Sequence, residues 1–146
     1  MTMTGESRRL SGRIRLTTAA TVEYYERADV KWTAAAKLVD ISKSGASIRL
    51  NRAVEAGRLI LFKSRIPFRY RAYDFKSSEF STWALIRYVR SDSQEDPETT
   101  YRIGLAFIGS EAPESFHADP QTHYALPEKP ERNGLWRAVE QSAPRA

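Results

Sequence analysis

The feature that most constrains this chain is an alternation. In Tyr101-Arg-Ile-Gly-Leu-Ala-Phe107, Tyr101, Ile103, Leu105 and Phe107 fall on one side. A period of two turns one face to a core and the other to water, the mark of a half-buried strand. Gly45-Ala-Ser-Ile-Arg-Leu50 repeats it, with Ala46, Ile48 and Leu50 inward. Thr82-Trp-Ala-Leu-Ile-Arg-Tyr-Val89 is rich in aromatic and β-branched residues and long enough for a central strand. Arg58-Leu-Ile-Leu-Phe62 follows a Glu-Ala-Gly turn and reads as a strand, as do Ile14 to Tyr25 and Thr33 to Ile41 with less regular patterns.

Turn residues punctuate these runs. Ser42-Lys-Ser-Gly45 is a tight turn, Tyr24 to Asp29 an extended hairpin tip, and Ser91 to Pro97 a polar hairpin loop. Six or seven strands at this spacing predict an all-β fold, a small antiparallel barrel or sandwich. With 146 residues the chain suits one domain and can bury a real core. It has no cysteine, which excludes disulfides, a thiolate nucleophile and Cys-based metal sites. No apolar run is long enough for a membrane helix, and MTMTGESRR is no secretory signal. A cytoplasmic protein without membrane insertion is expected.

After Gly109 the character changes, for five of the seven prolines lie there. Proline cannot donate to a ladder, so no strand is expected to run through them. Asn133 to Gln141 predicts a short helix capped by Asn133, with Leu135, Trp136 and Val139 on one side. The remainder reads as an extended or disordered Pro-rich tail.

Charge is uneven. The formal net charge is +5, and Arg8, Arg9, Arg13 and Arg15 face only Glu6 in the opening segment. A basic arm suits an anionic partner, although by charge alone it reads as a solvated terminus. Arg9 and Arg13 form Arg-x-x-x-Arg, and Asp40-Ile-Ser42-Lys-Ser-Gly45 forms Asp-x-Ser-x-x-Gly at a strand end. Each pattern alone is weak, since the second is also a plain Asx/Ser turn.

In this order, and closed by the Gly-x-x-Phe of Gly104 to Phe107, the two patterns resemble the PilZ domain, the bacterial receptor domain for cyclic di-GMP. The resemblance covers about residues 8–109, with 1–7 a flexible N-terminus and 110–146 the Pro-rich tail. It implies a six-stranded antiparallel β-barrel and a cyclic di-GMP site made of Arg8, Arg9, Arg13, Asp40, Ser42 and Gly45. Residues 65–80, and the long segment between Arg13 and Asp40, depart from the family in length.

The chemistry of these side chains suits that ligand. Arginine offers a planar fork of donors for phosphate or for guanine O6 and N7, and can stack on a base. The opposite guanine edge presents N–H donors, for which Asp40 supplies a charge-assisted acceptor. Ser42 can donate or accept, and Gly45 keeps the turn tight and lets the ligand approach the backbone. The resemblance implies a receptor or adaptor with no enzymatic activity, cofactor or metal, whose downstream protein partner is unknown.

Two other readings compete. One is a ligand-independent PilZ-like interaction domain. The other takes Arg65, Arg69 and Arg71, interleaved with Phe68, Tyr70, Tyr73 and Phe75, as a track for single-stranded nucleic acid. The favoured reading of that stretch is a strand pair with aromatics inward and arginines in solvent, so nucleic acid is not expected as a partner. His117 and His123 lack any metal or acid–base pattern and read as exposed tail residues. Asp74 and Glu79 are expected to lack partners, and Trp32, Trp83 and Trp136 to pack.

Overall fold

The computed structural model describes residues 18–91 and 100–141 together with the backbone of 14–15. The chain runs β1 (Ile14–Arg15), β2 (Ala19–Arg27), β3 (Val30–Ser42), β4 (Gly45–Leu50), β5 (Leu59–Ser64), β6 (Phe80–Ser91), β7 (Tyr101–Gly109), a short helix α1 (Glu114–Ala118), β8 (Tyr124–Ala125) and β9 (Val139–Glu140). All pairings are antiparallel. The strand order β3-β2-β5-β6-β7-β4 returns to β3, closing a six-stranded barrel. This is the fold expected from the sequence, and closure leaves its six strands without the open edges that invite aggregation. β1 pairs with β3 through Ile14 opposite Ile41 and Arg15 opposite Asp40, ahead of β2 on the same edge.

Alternation builds the core as expected. Ile48, Leu50, Ile103, Leu105 and Phe107 are buried, as are Val22, Phe62 and Phe80 from other strands. Phe107 lies between Phe62, stacked at 5.5 Å, and Phe80, edge-on at 5.8 Å. Such aromatic pairs add about 0.5–1.5 kcal/mol each beyond area burial.

Residues 110–141, expected as an extended or disordered tail, pack on the outside of the barrel. Phe116 of α1 sits 4.9 Å from Trp83 and 5.6 Å from Tyr25, and joins Leu59, Leu85, Ala106 and Tyr124 in a second buried cluster. Backbone bonds fix the segment, from Tyr124 N to Gly57 O (2.8 Å) and from Trp136 N to Phe107 O (2.8 Å). The helix predicted over 133–141 is absent. Asn133 Oδ1 instead accepts from Leu135 N at 2.9 Å, Gly134 takes φ +86°, and the chain leaves extended into β9. A left-handed glycine cannot start a helix, and Asn133 spends its side chain on a turn. Among the described residues after Gly109 the one α-helix is α1, with Pro113 at its N-cap.

The segment 65–79 is likewise corrected. It is no strand pair but a loop with one turn of 3₁₀ helix at Phe68–Tyr70. Its organiser is Arg71, which is 1% exposed rather than solvated. Arg71 Nε donates to Ile66 O (2.8 Å), Nη1 to Asp74 O (2.7 Å) and Ser77 O (2.8 Å), and Nη2 to Ser78 O (3.1 Å). Its guanidinium lies 4.6 Å from the Phe68 ring and 5.6 Å from that of Phe80. Four carbonyls and two ring faces make the buried cation tolerable. Asp74, expected to lack partners, accepts from the backbone N–H groups of Ser77 and Lys76, and the bond from Ser77 contributes most to holding its carboxyl below the ordinary range.

Candidate functional site

Arg8, Arg9 and Arg13 lie outside the described residues. Asp40, Ser42 and Gly45 are described, and all three belong to the β3–β4 hairpin. A register shift between Leu38 and Asp40 marks a bulge in β3. Bulges re-aim side chains and recur beside functional sites. Here Ile41 turns inward, and the half-buried Asp40 sits on the outer face opposite Ser47. Ser42 is 3% exposed, and its Oγ lies 3.3 Å from Ser44 Oγ and accepts from Ser44 N at 3.3 Å. That bond tightens the turn in the manner of a Ser/Thr turn.

Gly45 serves the barrel first. A Cβ there would strike the carbonyl oxygen of Leu105, so the close approach of β4 and β7 requires glycine whatever lies outside. Its backbone is not in the left-handed region, so the turn itself does not demand it.

Ser47 is the residue that sequence reasoning missed. Its Oγ is buried and, among the described residues, has no hydrogen-bond partner. It stands between Asp40 on β3 and Gly104 on β7. An unsatisfied buried hydroxyl costs stability and asks for an explanation, such as a group that arrives later. The signal in the sequence was a serine at an outward position between Ala46 and Ile48. A second bulge, between Ile86 and Tyr88 in β6, brings Tyr88 opposite Gly104 on the same face, with its ring where a Cβ of Gly104 would be. The guanidinium of Arg90 lies 4.4 Å from that ring. One outer surface therefore carries Asp40, Ser47 and Tyr88, bracketed by two bulges.

The turn is buttressed by the C-terminal segment. Gly134 comes close to the Lys43 side chain, and Ser44 O accepts from Phe107 N at 2.9 Å. Trp136 lies 5.6 Å from the Arg87 guanidinium, and Trp32 and Trp83 pack against the two buried clusters as expected.

The other candidate chemistry dissolves into structure. His123 is not a free tail residue, for its Nε2 lies 3.0 Å from Glu55 Oε2. Burial would raise the Glu55 carboxyl, but its bonds to His123 and Arg58 outweigh this and hold it below its ordinary value. Arg71 is consumed by its own loop, which removes a cation from the nucleic-acid track. Among the described residues no cluster of His, Asp and Glu could hold a metal ion, and no helix is long and apolar enough to cross a membrane.

No protein-family model matches the sequence, and no curated protein does. Solved structures similar to the chain include the Bacillus subtilis inhibitor of motility MotI/DgrA, with a TM-score of 0.48 and 16% identity over 73% of this chain and 44% of that one. The Borreliella burgdorferi PlzA protein in complex with c-di-GMP gives a TM-score of 0.49 and 12% identity over 77% of this chain and 49% of that one. The PilZ domain with c-di-GMP of YcgR from Escherichia coli gives 0.44 and 18% identity over 68% and 77%. The chain spans about half the length of the first two, at 44% and 49%.

Proposed function

We propose that this chain is a PilZ-like receptor for cyclic di-GMP, which binds the nucleotide reversibly and signals by contact with another protein. The observation that carries the reading is the outer face of the β3–β4 hairpin. It carries the Asp40 carboxylate beside the Ser47 hydroxyl, which has no partner among the described residues, on the strand to which β1 pairs. β1 begins directly after Arg13, so the arginine arm is joined to the edge of that face by covalent connection. On this reading Asp40 accepts from a guanine N–H edge, Ser47 and Ser42 supply hydroxyls, and the arm arginines grip phosphate and the O6/N7 edge.

Ordering of the arm over the barrel wall changes the surface that a partner meets, a common form of switch. The chain acts as a cytoplasmic adaptor without catalysis or metal, and every group named is a binding group. Calorimetry with cyclic di-GMP at micromolar protein and low salt tests the reading. Wild type is expected to bind, and Arg9→Ala/Arg13→Ala to lose binding with its thermal midpoint nearly unchanged. No binding by wild type sinks the proposal and leaves a ligand-independent interaction domain. A large fall in the midpoint of the ligand-free variant means the arginines are structural.

A further inference from the structure

The loop between β5 and β6 is tied down from within and yet turns apolar rings to water. Phe68 is 47% exposed and Phe75 55%, two of the three exposed large hydrophobic residues among those described. Single exposed apolar side chains are ordinary, but two on one fixed loop call for an account. Arg71 fixes both. Its guanidinium lies against the Phe68 ring, and its Nη1 donates to Asp74 O and Ser77 O on either side of Phe75. Asp74, at φ +60°, is the one non-glycine residue at positive φ among those described, and it completes the turn that carries Phe75. A left-handed L residue and a buried cation both cost stability, and here both serve to hold two rings in place.

The loop opens at the barrel end where β2 starts and β3 ends, since Ser64 is opposite Ala20 and Phe80 is opposite Ser64. β5 lies two strands from β3, about 10 Å along the wall. The same end carries the β3–β4 turn and β1, from which the arginine arm leaves. A body seated on Phe68 and Phe75 is therefore a neighbour of the arm.

The charge around the rings selects the occupant. Arg65, Arg69 and Lys76 are exposed beside them. Of the loop's two acids, Asp74 turns its carboxylate onto the backbone N–H groups of Lys76 and Ser77, which leaves Glu79 against three exposed cations. Aromatic rings with arginine are the composition of protein–protein contact cores, and rings already fixed lose little freedom on docking. A nucleic-acid strand asks instead for a run of exposed rings. Tyr73 breaks that run, for it packs on Phe80 at 5.1 Å and gives its hydroxyl to Ser81 O at 2.6 Å.

We infer that Phe68 and Phe75, flanked by Arg65 and Arg69, dock a protein partner whose surface offers an apolar pocket edged by carboxylates. That the partner is a protein rests on the adaptor reading above, while the surface itself stands apart from cyclic di-GMP. The rings fill the pocket and set the affinity, and the cations steer the encounter and set its salt dependence.

The test pans the full chain with a phage-displayed library of short random peptides and measures a synthetic copy of the selected peptide by calorimetry. The selected sequences are expected to pair Asp or Glu with an aromatic or aliphatic residue. Phe75→Ser is expected to weaken that peptide about tenfold or more at an unchanged thermal midpoint, because the side chain is exposed. Arg65→Gln/Arg69→Gln gives a smaller loss and a flatter salt dependence, and carries the test if Phe75→Ser melts early. No selection above background, selected sequences without carboxylates, or equal binding by both variants and wild type overturns the inference. So does tighter binding of the same rings to oligo-dT or to phosphatidylglycerol vesicles, or a wild-type dimer in sedimentation that Phe75→Ser dissolves. Titration with cyclic di-GMP separates this surface from the proposed function. Phe75→Ser is expected to bind it as wild type does, and a loss there assigns the ring to the ligand and overturns the docking surface. A wild type that binds no cyclic di-GMP sinks the receptor reading alone, and the peptide result still decides the surface.

Discussion

The two sides of the barrel wall treat positive charge in opposite ways. On the β2–β3–β5 side Glu23 stands between Lys31 and Lys63, at 3.4 and 3.2 Å. Nearby, the buried Arg58 ends on the carbonyls of Tyr25 and Glu26 and on Glu55. Beyond β5, Arg71 ends on four carbonyls of its own loop. On the β3–β4–β7–β6 side Lys37, Arg49, Arg102 and Arg90 face one another across the strands. The first arrangement sets cations against carboxylates and carbonyls. The second sets like charges side by side across the strands, which raises the local potential of that wall. A count of basic residues, or a pI near 9.6, averages over both.

The largest expected effect breaks the satisfied side. Arg71→Ala is expected to lose about 3–5 kcal/mol, since it strips four carbonyls of their donors and empties a buried site. Arg71→Lys recovers less than half, because one ammonium cannot span four acceptors around a plane. Urea unfolding measures both, and a loss under about 1 kcal/mol from Arg71→Ala would remove the contrast.

Next comes the hinge between stability and site. Gly45→Ala drives a methyl into the Leu105 carbonyl oxygen. It is expected to cost about 1–3 kcal/mol or more, and to weaken ligand binding only through the loosened hairpin. If its midpoint stays at the wild-type value while binding is lost, glycine is there for the ligand, and the structural account of this position is wrong.

On the binding side, Asp40→Asn is expected to weaken cyclic di-GMP by about 10- to 100-fold, with little change in thermal midpoint. Calorimetry and thermal melts on one sample separate the two quantities. A fall in stability larger than the fall in affinity would move Asp40 to the structural side of the comparison.

The smallest effect is Glu23. Burial alone would raise its carboxyl, but bonds and charges from Lys63 and Lys31 outweigh this and hold it below its ordinary 4.5. A carboxyl depressed in the fold stabilises it above the unfolded value, and that contribution disappears as pH falls through the folded one. The Glu23 contribution is therefore complete at neutral pH and declines below about pH 4.5. Glu23→Gln is expected to cost about 0.2–1 kcal/mol at pH 7 and less as the pH is lowered below 4.5, read from denaturant midpoints across that range. A cost that does not fall with pH means packing rather than charge.

Much of the barrel was legible in the chain, and the reason is local. Alternation in 45–50 and 101–107 assigns each residue a side before any partner strand is known, and the structure buries Ile48, Leu50, Ile103, Leu105 and Phe107 accordingly. Asp40, Ser42 and Gly45 were legible as a group because a turn motif is contiguous. The missed features depend on residues distant in sequence. Nothing near Arg71 in the sequence announces that Phe80 will close over it, and nothing near Asn133 announces that Phe107 will draw Trp136 into an extended course. Ser47 reads as an ordinary outward serine until Asp40 and Gly104 flank it.

What the sequence alone determined is therefore the inward face of each strand, the turn that carries Asp40 and Ser42, and the basic character of the chain. The first two follow from neighbours along the backbone, where periodicity and turn preference act, and the third is a sum over side chains. Only the tertiary structure decided which cations end on carbonyls and carboxylates of the β2–β3–β5 side and the 65–79 loop and which stand in line across the other strands. That depends on the register of β3 against β4, β4 against β7 and β7 against β6, where a slip of one residue would turn each outward cation to the core. The bulges at Leu38/Asp40 and Ile86/Tyr88, together with barrel closure, fix that register, and with it the line from Lys37 to Arg90.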